Sequence, residues 1–289
     1  MTEHAVVIAG GGPTGMMLAG ELRLAGVDVA VVERREGVEL DGSRAGGLHS
    51  RTIEVLDQRG IAERFLAEGK AMQVGGFAHV PLDISDFPTR HPYGLALWQK
   101  HFERVLAGWI EELGVRVYRG LEVRGFAQGE TGVEVELSSG DNVRAQYLVG
   151  CDGGRSVVRK AAGIAFNGWD ATVSHLLAEV ELAEEPEWAV RYDAVGLHAL
   201  SKLEGNVVRV MVTEGEVGRS GKPGIADLSA EMIRVFGTDY GVHSPVWITR
   251  FNDAARQAEV YRKGRVLVAG DAAHVHYPAG GQGLNTGVQ

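Results

Sequence analysis

The chain has 289 residues, of which 45% are hydrophobic and 23% charged, so it is not a disordered chain and can form one large or two interleaved domains. Its net charge of -9 argues against a nucleic-acid surface, because phosphate binding relies on clustered lysine and arginine. A single cysteine, Cys151, excludes an internal disulfide and a zinc site of several thiolates, and it favours a reducing cytoplasm.

The first segments of the chain have the pattern of a strand, a glycine-rich turn, a helix and a second strand. Ala5 to Ala9 are small and β-branched, which is typical of a parallel strand covered on both faces. Apolar residues recur at helical spacing from Thr14 to Ala25, and Gly26 stands where a C-terminal cap belongs. The next strand, Asp28 to Val32, ends in Glu33. This order predicts a βαβ unit within a doubly wound parallel sheet.

The turn between the first strand and the helix reads Gly-Gly-Gly-Pro-Thr-Gly from position 10 to position 15. Gly10 permits a tight turn, Gly12 lets a pyrophosphate approach the backbone, and Gly15 lets the helix pack closely on the strand. Pro13 and Thr14 open the helix, whose unpaired N–H groups would face the phosphates. We therefore predict that this turn binds a dinucleotide.

Glu33 is placed to bind the adenosine ribose of that dinucleotide. Its negative charge disfavours a 2′-phosphate, so the pattern favours FAD or NAD over NADP at this turn. Arg34 follows it and is either a further cofactor contact or a solvated residue at the strand end. The N-terminus has an acidic Glu3 and no long apolar run, so we expect neither a secretory signal nor a span of roughly 20 apolar residues across a membrane.

Two later segments again place an aspartate beside a glycine at the end of a buried strand. The strand ending at Gly150 leads into Asp152 and Gly153, and the strand from Val266 leads into Gly270 and Asp271. Ligands collect at the carboxyl ends of parallel strands, so these residues are predicted to approach the same cofactor. Either aspartate alone could instead cap a helix.

Together these motifs resemble those of class A FAD-dependent aromatic hydroxylases with the p-hydroxybenzoate hydroxylase fold. The segments 16–26, 57–60 and 280–283 are most similar to the actinobacterial polyketide hydroxylases and rifampicin monooxygenases of that family. The resemblance covers the whole chain and is weakest over 72–98 and 166–256. It implies an α/β fold in which a Rossmann-like FAD-binding domain (1–71, 99–165 and 263–289) is interleaved with a β-sheet substrate-binding domain (72–98 and 166–262).

The resemblance also implies roles for individual residues. Asp271 matches the aspartate that binds the ribityl and pyrophosphate side of FAD, and Asp152 matches an aspartate implicated in handling both FAD and NAD(P)H. Arg44 and Gln99 match two further FAD contacts, with Gln99 opening a helix after Trp98.

The turn near the C-terminal end matches the segment that contacts the isoalloxazine ring of FAD in this family. Pro278 is expected beside the reactive edge of the isoalloxazine ring, and Gly281 and Gly283 belong to the same turn. The backbone N–H groups of Leu284 and Asn285 are expected to face flavin N1 and O2, where helix-start donors would stabilise reduced flavin. No side chain is assigned as a base.

The implied reaction is hydroxylation of a polycyclic aromatic substrate by O2 through a C4a-hydroperoxyflavin, with NADPH favoured over NADH as the transiently bound reductant. Baeyer–Villiger oxidation and antibiotic inactivation remain open alternatives. A pair of histidines, His274 and His276, lacks a third ligand, so no metal site is predicted. Related enzymes continue past the helix near Leu284, so a C-terminally truncated, impaired flavin-binding fragment is another alternative. The candidate lining residues for a flat substrate are His79, Tyr93, Trp98, Trp188, Tyr192 and His198, and the favoured alternative for each of them singly is a core or surface position.

Overall fold

A computed structural model describes residues 3–40, 42, 45–77, 80–188, 190–203, 205–278 and 280–289. Internal contacts divide the chain into two units. Unit 1 extends to Gly168 and resumes at Arg256, and unit 2 runs from Trp169 to Ala255. Unit 1 therefore includes residues 72–98, whose predicted part in substrate binding stays a prediction.

The helices are α1 Pro13–Leu24, α2 Ser50–Gln58, α3 Ala62–Leu66, α4 Gln99–Glu112, α5 Val157–Ala161, α6 Ile225–Phe236 and α7 Gln282–Val288, with a 3-10 turn at Gly270–Ala272. The strands are β1 Glu3–Ala9, β2 Val29–Glu33, β3 Gly47–Leu48, β4 Lys70–Met72, β5 Val74–Phe77, β6 Val80–Asp83, β7 Gly94–Ala96, β8 Arg116–Arg119, β9 Val123–Gln128, β10 Val133–Leu137, β11 Asn142–Gly150, β12 Phe166–Trp169, β13 Ser174–Leu182, β14 Val190–Tyr192, β15 Leu197–Lys202, β16 Val208–Thr213, β17 Val242–Asn252, β18 Ala255–Ala258, β19 Arg262–Lys263, β20 Val266–Val268 and β21 His274–Val275.

Unit 1 is built on a parallel sheet in the order β20-β11-β1-β2-β8. β1 pairs in parallel with β2 and β11, β11 pairs in parallel with β20, and β2 pairs in parallel with β8. The antiparallel β9–β10 hairpin extends from β11, and β19 closes the other edge antiparallel to β20. The predicted α/β class with a doubly wound parallel sheet is confirmed.

Both faces of this sheet are covered, which explains why its strands are apolar throughout. Ile8 and Val31 belong to the core on one face, together with Phe102 of α4, whereas Val7 and Val32 belong to the core on the other. Successive strand residues point to opposite faces, so a strand buried on both sides carries apolar residues at nearly every position.

The helices on the first face approach closely at one glycine. A Cβ atom added at Gly20 of α1 would lie 2.2 Å from the Trp109 ring of α4. After α1 the chain turns at Gly26, which has a φ of 74° and donates to the carbonyl of Arg23 at 3.0 Å. This is the predicted cap, because a left-handed residue after a helix is most readily a glycine.

Unit 2 consists of an antiparallel sheet in the order β14-β15-β16-β13-β17 with α6 on one face. Leu228 and Met232 of α6 are fully buried against Leu176, Ala178 and Val210 of the sheet. Within the part of the chain that the structure describes, no helix is both long and apolar enough to cross a membrane.

Candidate functional site

The predicted cofactor residues lie at the carboxyl ends of neighbouring parallel strands. The glycine turn follows β1, Glu33 ends β2, Asp152 follows β11 and Asp271 follows β20. Because these strands are adjacent in the order β20-β11-β1-β2, the four segments meet at one edge of the sheet.

Close backbone approach explains two glycines of the turn. Gly10 has a φ of 104°, and a Cβ atom there would lie 2.3 Å from the carbonyl oxygen of Cys151. A Cβ atom at Gly15 would lie 2.0 Å from the carbonyl oxygen of Gly10, so α1 approaches the end of β1 too closely for any side chain. Gly12 differs, because a Cβ atom there would meet nothing within 4 Å. Open space in front of the first turn of α1 is what a pyrophosphate would need.

Glu33 is held by the turn and by Arg35. The carboxylate is 6% exposed and accepts hydrogen bonds from the Gly11 N–H at 2.6 Å, the Arg35 N–H at 2.9 Å and Arg35 Nε at 3.0 Å. Burial acts to raise the pKa of Glu33, but these hydrogen bonds and the Arg35 charge outweigh it, so the pKa lies below its ordinary value. The acid is therefore ionised at neutral pH, as binding to ribose hydroxyls requires.

The predicted contact of Arg34 with the cofactor stays a prediction, and the neighbouring Arg35 is the arginine that joins the glycine turn to Glu33. Arg34 is exposed, whereas Arg35 also donates to the Gly11 carbonyl at 3.1 Å and pairs with buried Glu103 of α4 at 2.9 Å. Burial acts to lower the pKa of Arg35, and the charges of Glu103 and Glu33 raise it above its ordinary value. Glu103 was missed, and its place on the buried face of α4, four residues after Gln99, was the available signal.

Gln99 opens α4 as predicted, and its side chain joins this network. Its Nε2 donates to Glu103 at 2.7 Å, and its Oε1 accepts from the Ala45 N–H at 3.3 Å. Arg44, the other predicted FAD contact of this region, lies outside the described residues, as does His79.

Asp152 caps a helix and also leaves one oxygen unsatisfied. Its Oδ2 accepts from the N–H groups of Val157 at 2.7 Å and Val158 at 3.1 Å, at the start of α5. Its Oδ1 is buried and has no hydrogen-bond partner among the described residues. Gly153 follows with a φ of 82°, which turns the chain away from β11. A role as a helix cap thus accounts for only one of the two carboxylate oxygens of Asp152.

A buried arginine that the sequence did not single out joins the two aspartate turns. Arg159 is 4% exposed, donates to the carbonyl of Ala272 at 2.9 Å and to that of Gly154 at 3.0 Å, and lies 3.7 Å from the Phe166 ring centroid. Burial lowers its pKa, with Asp152 acting in the opposite direction. Arg159 therefore fixes the turn after β11 against the turn after β20.

Asp271 lies in the 3-10 turn after β20 and is exposed at the edge of the sheet. Gly270 before it has a φ of 58°, and a Cβ atom there would lie 2.5 Å from Thr14 Oγ1. A Cβ atom at Gly287 of α7 would also lie 2.5 Å from Thr14 Oγ1. The Thr14 side chain therefore fills the junction of α1, α7 and the Asp271 turn. The resulting contact is packing, whereas cofactor binding by Thr14 would involve its backbone.

The predicted flavin edge forms a turn before α7. Pro278 is exposed, its carbonyl accepts from the Gly281 N–H at 3.0 Å, and Gly280 and Gly281 have φ values of 81° and 65°. Because α7 begins at Gln282, the N–H groups of Gly283 and Leu284 precede the first bond of the helical ladder, in which the Asn285 N–H is the first donor. The geometry therefore favours Gly283 and Leu284 over Asn285 as backbone donors to a flavin.

Asn285 contributes its side chain instead. It is fully buried, and its Oδ1 accepts from the His49 N–H and from Thr52 Oγ1, both at 2.7 Å. Its Nδ2 donates to the carbonyls of Gly281 at 2.8 Å and Gly47 at 3.2 Å. The amide therefore ties the turn before α7 to the start of α2.

These observations fit an extended dinucleotide such as FAD. The open space in front of Gly12 would accommodate phosphates, and the ionised Glu33 and the two aspartates at neighbouring strand ends would accept from hydroxyl groups. No group of three or more His, Cys, Asp or Glu residues that could hold a metal ion is found among the described residues.

Two of the candidate substrate residues, Trp188 and His198, lie in unit 2 and differ in exposure. Trp188 lies with Val190, Leu200, Ser201 and Lys202 along a shallow groove of unit 2. His198 is fully buried and lies 3.2 Å from Asp193, whose pKa the hydrogen bond with His198 lowers to about 2. A residue so placed supports the hairpin of β14 and β15 rather than lining a cavity.

Comparison with known proteins identifies the family. The sequence profile described as "FAD binding domain" matches residues 3–289. The chain is 47% identical to a rifampicin monooxygenase of Streptomyces venezuelae, over 98% of this chain and 61% of that protein. It is 44% identical to the 12-dehydrotetracycline 5-monooxygenase/anhydrotetracycline 6-monooxygenase of Streptomyces rimosus, over 99% of this chain and 61% of that protein.

A solved structure agrees with these relatives. The chain superposes on OxyS anhydrotetracycline hydroxylase from Streptomyces rimosus with a TM-score of 0.93 at 45% identity, over 100% of this chain and 60% of that one. The chain thus spans about three fifths of the length of the relatives it matches.

Proposed function

This chain belongs to the family of FAD-binding domains found in flavin-dependent aromatic hydroxylases, and we propose that it is the FAD-binding part of a monooxygenase that hydroxylates a polycyclic aromatic substrate. The observation that carries the proposal is the meeting of the glycine turn, Glu33, Asp152 and Asp271 at one edge of the parallel sheet.

Each segment has a part in holding FAD. The N–H groups at the start of α1 bind the pyrophosphate in the open space at Gly12, and Glu33 accepts from the adenosine ribose. Asp271 binds the ribityl side, and the N–H groups of Gly283 and Leu284 face the flavin ring. When bound, FAD reduced by NAD(P)H supplies the activation of O2 that hydroxylation requires.

The substrate class follows from the named relatives. Two of them act, by name, on rifampicin and on tetracycline precursors, which are large polycyclic molecules. We therefore propose a polycyclic, polyketide-type aromatic substrate, with residues 166–262 as the main part of the substrate-binding domain. Oxygen insertion into a ketone and inactivation of an antibiotic use the same flavin and remain alternatives within this proposal.

The test combines cofactor content with oxygen incorporation. The purified chain is incubated with FAD, its visible spectrum is recorded, and NADPH and NADH oxidation are measured with anhydrotetracycline and with rifampicin under 18O2. We expect near-stoichiometric FAD, faster oxidation of NADPH than of NADH, and product heavier by one 18O atom. An Asp271→Ala variant serves as the control and should lose FAD.

The alternatives give different results in the same experiment. FAD binding without NAD(P)H oxidation would indicate a flavin-binding fragment with impaired catalysis. A colourless chain that binds NAD tightly would contradict the proposal and indicate a dehydrogenase.

A further inference from the structure

Thr52 is a fully buried hydroxyl in the first turn of α2 that contacts α7 at two points. Its Oγ1 donates to Asn285 Oδ1 at 2.7 Å and accepts from Gln289 Nε2 at 3.1 Å. Asn285 and Gln289 are four residues apart and thus lie on one side of α7. A single hydroxyl of α2 therefore contacts α7 at two successive turns, and the two bonds together restrain the rotation of α7 relative to α2.

The Asn285 amide that Thr52 holds has no spare hydrogen-bonding capacity. Its oxygen accepts two bonds, from Thr52 and from the His49 N–H, and its nitrogen donates two, to Gly281 and Gly47. These four bonds use both lone pairs and both N–H groups of the amide. The amide oxygen must face α2 for its nitrogen to reach the carbonyl of Gly281.

The Gly281 carbonyl belongs to the turn that the proposed function places at the flavin ring. Gly280 and Gly281 of that turn are exposed glycines. One further bond connects it to the same part of α2, from His49 Nε2 to the Gly280 carbonyl at 3.1 Å. The start of α2 therefore holds this turn in two ways, directly through His49 and indirectly through the Asn285 amide.

We propose that Thr52 is a positioning residue for the flavin: its hydroxyl orients the Asn285 amide, and through Gly281 it sets where the N–H groups of Gly283 and Leu284 lie. The inference rests on the proposed function, because it takes the turn to face the isoalloxazine ring. Donors at N1 and O2 stabilise the anionic reduced flavin more than the oxidised form. A displaced turn would therefore weaken binding of reduced FAD more than binding of oxidised FAD.

Thr52→Val tests this with a side chain of nearly the same shape. The substitution removes the hydrogen bond that Thr52 donates to the buried Asn285 oxygen and the bond that Thr52 accepts from Gln289. We therefore expect the Kd for FAD to rise about tenfold. The flavin midpoint potential should become more negative. Thr52→Ser keeps the hydroxyl and should restore both values to those of the wild type.

Ser50→Ala is the matched control, because Ser50 lies in the same helical turn and donates to the His91 carbonyl at 2.6 Å, away from α7. It should leave the midpoint potential unchanged. If Thr52→Val does not fold, Thr52→Ala is measured in its place, since it removes the hydroxyl without adding a methyl group.

The outcomes separate this inference from the proposed function. A wild-type chain that takes up no FAD would overturn both. A wild-type chain that binds FAD, with a hydroxyl-free Thr52 variant of unchanged potential and Kd, would overturn the inference alone. An equal shift in Ser50→Ala would do the same, because it would trace the effect to α2 in general.

Discussion

The backbone N–H of Gly11 donates a 2.6 Å hydrogen bond to the carboxylate of Glu33. The turn after β1 and the acid at the end of β2 are thereby joined before any cofactor binds. Arg35 completes the connection by donating to Glu33 on one side and to the Gly11 carbonyl on the other. Oε1 accepts both Arg35 bonds, whereas Oε2 accepts only the Gly11 bond and keeps a lone pair, so Glu33 can accept from a ribose without giving up these partners.

Replacing Glu33 with glutamine should weaken both folding and FAD binding. The amide oxygen can still accept from Gly11, but the neutral side chain loses its charge-assisted bonds with Arg35, which are worth about 2 kcal/mol. We expect the free energy of unfolding to fall by about that amount and the Kd for FAD to rise more than tenfold. Urea unfolding and FAD titration measure the two effects. Glu36→Gln, at an exposed position nearby, should change neither.

The contribution of Glu33 to stability should disappear in acid. Its pKa is lower in the folded chain than in the unfolded chain, so the unfolded state binds the proton more readily. The stabilisation is complete above the ordinary glutamate pKa of ~4.3 and is lost as the pH falls through the lower folded value. The difference in unfolding free energy between wild type and Glu33→Gln, measured from pH 7 downward, should therefore shrink below that point. A difference that grows in acid would contradict this assignment.

Arg159 should matter more than its surface neighbour. Arg159→Met removes the bonds to the carbonyls of Gly154 and Ala272, and it leaves the Ala272 carbonyl buried and the Gly154 carbonyl partly buried without this donor. We expect a loss of about 3 kcal/mol in the free energy of unfolding and a weaker affinity for FAD. Lys160→Met changes the next, exposed residue of α5 and should leave both quantities unchanged. Chemical unfolding and FAD titration compare the two variants.

The strand, glycine turn and helix that are predicted to bind the pyrophosphate could be predicted from the sequence, because their conformation depends on residues close together in the chain. A strand followed by closely spaced glycines and a helix leaves few conformations, and Gly10 and Gly15 occupy positions where a Cβ atom would collide with backbone. Gly26 was predicted for the same reason, since helix ends have strong residue preferences, whereas Gln99 was predicted from the family resemblance.

The pairing of the side chains that support the site could not be predicted, because the two members of each pair are distant in sequence. Glu103 meets Arg35 across 68 positions and Thr52 meets Asn285 across 233, and no periodicity links such pairs. The role of Arg35 could not be predicted, because a sequence does not show which of two adjacent arginines at a strand end is buried. The role of the Asn285 side chain was not predicted, because the family resemblance implies a role only for the backbone N–H of this residue.

Cys151 should resist thiol reagents while the chain is folded. Burial, with a smaller effect of the Asp152 charge, raises the pKa of Cys151 to about 12, and thiolate is the reactive form. At pH 8 only about one molecule in ten thousand would carry the thiolate. We expect reaction with Ellman's reagent to be at least ~100-fold slower than in the chain unfolded in guanidinium chloride, where the single thiol reacts fully. Rapid labelling of the folded chain would show that the Cys151 site is open.

Two alanine substitutions in the same turn should separate folding from cofactor binding. Gly12 has a φ of -80°, which alanine adopts readily, and its Cβ would project into open space, so Gly12→Ala should fold with little change in unfolding temperature. The added methyl group occupies the proposed pyrophosphate position, so FAD affinity should fall at least tenfold. Gly15→Ala instead places Cβ 2.0 Å from the Gly10 carbonyl oxygen and should destabilise the chain by several kcal/mol. Thermal unfolding of the cofactor-free variants and FAD titration compare them. Wild-type FAD affinity in Gly12→Ala would place the pyrophosphate elsewhere.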